Sequence, residues 1–218
     1  MIADLLRDAL AVVLPVDCAG CGAPDRTLCT DCRLALAPVI ECRVLSDGTP
    51  AHAALRYDGV VRHAILDFKQ NGRTDAARAL GAPLSSAVRA SALAAGSGGL
   101  RVVAIPAGRQ AYRRRGYDPV RLLLRRAGLG APHELLVAGS HGEQKSLGRQ
   151  QRAENLAGTM RAIRGLAGVR VLLVDDVVTT GATLVEAVRA IRAADGEVAG
   201  AAVLASTPRL FSTFPANP

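Results

Sequence analysis

Beyond residue 50 the chain alternates short apolar runs with longer stretches whose apolar positions recur every three or four residues. Residues 51–57 predict a strand, 60–68 a helix, and 75–95 a longer Ala-rich helix ending at the breaker Gly96-Ser97-Gly98-Gly99. Residues 101–105 form a β-branched run stopped by Pro106, and 119–127 predict a helix with Asp118 as N-cap and Pro119 at its first position. A short strand is expected at 134–138, a helix at 146–157, a fully buried strand at 169–174, a helix at 183–194 closed by Gly196, and a last strand at 198–205. This order implies an α/β fold: a mostly parallel sheet with helices on both faces. It fills residues 51–205. A short amphipathic helix and a cysteine module occupy 1–45, and residues 206–218, rich in Pro, Ser and Thr, read as a flexible tail.

The segment VRVLLVDDVVTTGATLVEAVRAI concentrates the chemistry. An apolar strand delivers Asp175 and Asp176 to its carboxyl end and turns through Thr179, Thr180, Gly181, Ala182 and Thr183 into a helix, the place where open α/β sheets bind ligands. Hydroxyls and the first free N–H groups of the helix suit a phosphate, Gly181 permits a positive φ, and Ala182 leaves room. Two carboxylates would repel that phosphate, so their expected partner is a polyol beside it. The turn takes a 5-phosphate, and Asp175 and Asp176 accept from sugar hydroxyls, directly or through a divalent metal and water. A lysine after the second glycine, required by a P-loop, is missing. The competing reading is a capped helix behind two solvated acids.

Charge sharpens this picture. The net charge is +8, and residues 101–170 hold fourteen Lys or Arg against four Asp or Glu. Residues 109–117, with Arg113, Arg114 and Arg115, follow a strand whose carboxyl end faces the same crevice. A mobile basic loop there suits a pyrophosphate, with Arg115 as preferred contact, although a solvated basic surface reads the same way. Arg149, Arg152 and Asn155 recur every third residue, with Gln144 ahead of them, as a second anion-facing stripe or an ordinary exposed face. Lys69 and Arg73, flanking Gly72, are further candidates for the crevice.

All five cysteines lie within the first 42 residues, a distribution unlike a secreted disulfide scaffold. Cys18-x2-Cys21 and Cys29-x2-Cys32 suit a tetrahedral structural zinc, with free or disulfide-bonded thiols as the competing reading; Cys42 is a core or spare thiol. The four histidines fit no metal or triad spacing. Aromatics are 3% of the chain, so the core is aliphatic and base-stacking platforms are few. No apolar run approaches the roughly 20 residues that cross a bilayer, which excludes membrane insertion and makes the cytoplasm the expected location.

VLLVDDVVTTGATL resembles the phosphoribosyl-pyrophosphate signature of type I phosphoribosyltransferases. From Cys18 to about Ala205 the chain is similar to the ComF family, through the CxxCG and LCxxC knuckle, Tyr57-Asp58-Gly59, the run from Asp67 to Arg73, Arg115-Gly116-Tyr117, Gln144 with Leu147, and Arg152 with Asn155. It departs from that family at Ala104-Ile105-Pro106, at Tyr117-Asp118 and at the single Cys42. The resemblance implies phosphoribosyl pyrophosphate as ligand with Mg2+, and pyrophosphate held by the loop after the strand at 101–105, with Arg115, Lys69 and Arg152 as contacts. Three functions fit: transfer of the phosphoribosyl group to an acceptor the sequence does not name, a non-catalytic accessory in DNA uptake and competence that binds single-stranded DNA, and a sensor of phosphoribosyl pyrophosphate. Oligomeric state leaves no trace in the sequence.

Overall fold

The structure is a computed structural model that describes residues 16–24, 26–96, 98–138 and 158–208. Most of the expected N-terminal helix, the helix expected at 146–157 and the tail beyond residue 208 lie outside these.

The strands are β1 (Glu41–Val44), β2 (Pro50–Arg56), β3 (Leu100–Ala104), β4 (Leu136–Ala138), β5 (Met160–Ala162), β6 (Arg170–Val178) and β7 (Glu197–Ser206). Five of them form one sheet in the order β1-β2-β7-β6-β3. β2, β7, β6 and β3 run parallel, and β1 closes one edge antiparallel to β2. Val171, Leu172, Leu173 and Val174 of β6 are wholly buried, as a central parallel strand covered on both faces requires. β4 and β5 make a separate antiparallel pair.

The helices are α1 (Thr30–Leu34), α2 (Gly59–Gln70), α3 (Ala77–Ala94), α4 (Arg109–Arg115), α5 (Pro119–Arg126) and α6 (Ala182–Arg192), with a 3-10 turn at Thr74–Ala76. Side chains alternate along β6 and β7, so each face of the sheet has its own core. On one face Leu172, Val174, Ala202 and Leu204 pack with α2, α3 and α5. On the other, Val171, Leu173, Ala201 and Val203 pack with α6 and the β4–β5 pair. The α/β architecture read from periodicity is therefore present, helices on both faces included. The cysteine segment joins the first core through Cys18, Ala19, Leu28, Cys32 and Leu36.

Three local expectations change. The strand expected to end at 174 runs on to Val178, because β7 continues to pair with it (Val177 with Ala205, Val178 with Ser206) after β3 has stopped at Ala104, short of Pro106. Asp175 and Asp176 thus lie inside β6, ahead of its carboxyl end at Val178. The basic stretch at 109–115 is helix α4, not a loop: Arg, Gln and Ala favour the helix, and Gly116, at φ 76°, ends it in the left-handed region. Cys42 is exposed on the edge strand β1, so it is no core thiol.

Candidate functional site

β3 and β6 are parallel neighbours, so the segments leaving them emerge on one side of the sheet and bound a common crevice. The last bond between them is Ile105 N–H to the Val174 carbonyl, 2.9 Å. Asp175 and Asp176 come immediately after it. Strand alternation sends them to opposite faces. Asp176 is buried and accepts from the Lys69 ammonium through both carboxylate oxygens, at 2.9 and 2.8 Å. Lys69 comes from the last turn of α2. Asp175 has no such partner among the described residues; its Oδ1 accepts the Asp176 backbone N–H at 2.8 Å. Burial, and then the Asp176 carboxylate, push Asp175 up to about 8, against the opposing pull of that N–H and of Lys69. Asp118 adds to the rise.

The turn after β6 leaves Thr179 and Thr180 exposed, while Ala182 and Thr183 are half-buried at the start of α6. Gly181 sits at φ 86°, a conformation that favours glycine, and a Cβ there would lie 2.9 Å from Leu45 Cδ2, so that side chain would have to shift. No side chain caps α6 at Gly181; the Thr180 hydroxyl reaches the Ala182 N–H at 3.3 Å. The positive end of an eleven-residue helix therefore stands beside exposed hydroxyls, an arrangement able to hold an anion.

Across the crevice, Arg115 closes α4, and its Nε is buried without a hydrogen-bond partner among the described residues. The Tyr117 hydroxyl donates to the Phe68 carbonyl, and the Tyr117 and Phe68 rings pack at a tilt of 55° with centroids 5.6 Å apart. That contact ties the basic segment to the turn of α2 that carries Lys69. Asp118 caps α5 by accepting the Arg121 N–H at 3.1 Å, as its sequence position predicts. A cavity of about 680 Å3 opens between α4, α5 and β4; it shares Tyr117 and Asp118 with the carboxylate end and is lined by Arg109, Arg113 and Arg125. Arg152, with Gln144, Arg149 and Asn155, lies outside the described residues.

Of the two cations beside Gly72, Lys69 reaches the crevice and Arg73 does not. Arg73 bonds Asp75 at 3.0 Å, Asp67 at 3.4 Å and the backbone carbonyl of Asp17 at 2.8 Å, on the side of the cysteines.

The Sγ atoms of Cys18, Cys21, Cys29 and Cys32 lie within 4.8 Å of one another, with Cys21 and Cys29 at 3.8 Å. A tetrahedron with Zn–S bonds of about 2.3 Å has edges of about 3.8 Å, so the four sulfurs fit the ion. Burial works to raise the Cys18 thiol, but backbone N–H groups, with Cys29 N at 3.3 Å, outweigh it and bring the thiol down to about 6. Cys32 is pushed up by burial and by the neighbouring sulfurs. Gly20 is the close-approach point: a Cβ there would fall 2.7 Å from Cys32 Sγ and 2.9 Å from Val60 on α2.

Sequence reasoning missed the pairing of Lys69 with Asp176 and the field of Asp118 on Asp175. Neither has a local signal, since the pairing spans 107 residues.

Residues 114–210 match the family model described as phosphoribosyl transferase domain. An orotate phosphoribosyltransferase of Pyrobaculum calidifontis is 45% identical over 62 residues, 28% of this chain and 32% of that protein. One from Pyrobaculum aerophilum is 54% identical over 48 residues, 21% of this chain and 25% of that protein. The chain thus spans a third or less of the length of these two relatives. Among solved structures, the orotate phosphoribosyltransferase from Aeropyrum pernix aligns over 80% of this chain and 78% of its own, with 20% identity and a TM-score of 0.33.

Proposed function

We propose that the crevice binds phosphoribosyl pyrophosphate and that the protein transfers its phosphoribosyl group to an acceptor. The observation that supports this most is the juxtaposition of Asp175 and Asp176 with the uncapped amino end of α6, joined by the Thr179–Thr180–Gly181 turn. The 5-phosphate would take the N–H groups of Ala182 and Thr183 and the hydroxyls of Thr179, Thr180 and Thr183. Asp175 and Asp176 would accept from the ribose hydroxyls. Arg115, with its orphaned Nε, would meet the pyrophosphate, together with Arg152; Lys69 joins them only by loosening its hold on Asp176. In the reaction the C1–O bond to pyrophosphate breaks, pyrophosphate leaves with the electron pair, and an acceptor lone pair forms the new bond to C1. Asp175 and Asp176 then stabilise the electron-poor sugar and the arginines the departing anion.

Mg2+ bound with the substrate would neutralise pyrophosphate charge. Asp175, which has no cationic side-chain partner among the described residues, is the protein group that would suit it. Zinc on Cys18, Cys21, Cys29 and Cys32 would be structural, with all four positions taken by protein. Thiolate ligation of zinc requires reduced cysteines, which fits a reducing compartment, so we place the protein in the cytoplasm. No helix among the described residues is long and apolar enough to cross a membrane.

The test is Mg2+-dependent pyrophosphate release from phosphoribosyl pyrophosphate with a panel of bases and amines. Turnover that disappears in the Asp175→Asn/Asp176→Asn double variant is the expected result. A second reading draws on the arginine-lined cavity beside α4: a ComF-type accessory of DNA uptake that binds single-stranded DNA without catalysis. Salt-dependent binding of single-stranded DNA by protein showing no turnover would favour it.

A further inference from the structure

We infer that the metal-loaded cysteine knuckle sets the position of Lys69, and through it the affinity of the crevice for a sugar phosphate, with Arg73 as the positioning residue that joins the two sites. This rests on the reading of the crevice given above.

Two physical links run from the knuckle to Lys69. The first is α2 itself. Its opening turn packs on the knuckle, where Gly20 lets Cys32 and Val60 approach, and Val61, Ala64 and Phe68 continue the same buried cluster as Cys18, Leu28 and Cys32. Its last turn carries Lys69 to Asp176. A helix of twelve residues, about 18 Å long, transmits a displacement at one end to the other with little loss.

The second link is Arg73. Its guanidinium holds the Asp17 carbonyl, one residue before the ligand Cys18, and pairs with Asp67 and Asp75. Asp67 in turn accepts the Asn71 amide at 2.6 Å and lies two residues from Lys69 on the same turn. Removing the metal frees the four sulfurs from their tetrahedron, and Asp17–Cys18 then loses its fixed anchor. The Arg73 fork and the end of α2 lose a restraint at the same point. Lys69 is the only described side-chain cation paired with Asp176, so its displacement alters the carboxylate offered to a ribose hydroxyl. Linkage is reciprocal: if zinc tightens the sugar phosphate by some factor, the sugar phosphate tightens zinc by the same factor.

The experiment uses the full chain. Zinc-loaded and chelator-treated protein are titrated with ribose 5-phosphate by calorimetry, and zinc affinity is measured by competition with a chromophoric chelator with and without ribose 5-phosphate. Zinc is expected to tighten ribose 5-phosphate by about tenfold, with an equal effect of the sugar phosphate on zinc. In zinc-loaded Arg73→Gln, whose four cysteines and α2 packing are intact, ribose 5-phosphate should bind several-fold more weakly and its effect on zinc affinity should shrink by a similar factor; Arg73→Lys should recover part of both. A purely structural role for Arg73 would lower stability without removing the reciprocal effect. Undiminished ribose 5-phosphate binding and undiminished linkage in Arg73→Gln overturn the inference alone, and remain decisive even if zinc-free protein unfolds. No binding of ribose 5-phosphate to zinc-loaded wild type removes the reading of the crevice and the inference with it.

Discussion

The cysteine knuckle and the carboxylate crevice both crowd like groups into partly buried ground, and they relieve the crowding in different ways. In the crevice the chain supplies its own cation: Lys69 neutralises Asp176, while burial and the Asp176 carboxylate push Asp175 up. In the knuckle the shifts of Cys18 and Cys32 come from burial, backbone N–H groups and the other thiols, and the sulfurs sit at the spacing of a metal tetrahedron. One site is balanced internally and must exchange a partner when its ligand arrives. The other calls for an external ion. A buried cluster of like charge is thus a request for a counter-charge, and the identity of the nearest cation shows whether the fold has already answered it.

The contrast can be broken most forcefully at the knuckle. Cys32→Ser removes a buried ligand of the first core and should lower the melting temperature by about 10 °C or more, as read by calorimetry, while EDTA lowers the wild type by a similar amount and the variant hardly at all. At the crevice, Asp176→Ala strands a half-buried Lys69 and should cost about 2–3 kcal/mol in a denaturant titration. The Asp176→Ala/Lys69→Met double variant should recover most of that loss, and strict additivity would deny the pairing.

A smaller effect belongs to Gly181. Gly181→Ala meets both the left-handed backbone and Leu45, and should cost about 1–2 kcal/mol together with the anion affinity of the turn. The last concerns Asp175 and is a matter of pH. Because its folded-state value is raised to about 8, the folded protein retains a proton that the unfolded chain loses near pH 4. The stability this confers is complete below about pH 4 and is lost as pH rises through about 8. Asp175→Asn should therefore match the wild type near pH 4 and melt higher at pH 8 in the absence of ligand, the gap widening steadily between those two values. A difference independent of pH would place Asp175 in a solvated setting.

The parallel strands and the helices α2, α3, α5 and α6 are legible in the sequence because those strands are apolar runs and those helices carry their own periodicity, α5 with a cap at Asp118 and Pro119. The turn at 179–183 and the four cysteines are legible for the same reason: their chemistry is assembled from neighbours along the chain. What depends on long-range geometry is not. The sequence sets Arg73 beside Lys69, yet the chain bends at Gly72, with φ 70°, and the two cations face different sites. The basic run at 109–115 lacks an apolar stripe and reads as a loop; it has no buried residue, and its Arg, Gln and Ala composition with the Gly116 cap make it a helix. The two adjacent acids read as a matched pair, but a strand that outruns β3 puts them on opposite faces, so one gains Lys69 and the other only a backbone N–H.

A titration of ribose 5-phosphate into isotope-labelled, zinc-loaded protein, followed by amide NMR, tests the central claim most directly. The account expects saturable shifts centred on the amides of Thr180 to Leu184 and on Asp176, where the turn and the amino end of α6 meet the twin carboxylates. Amides that stay still there, or shifts confined to the arginines of α4, would contradict it.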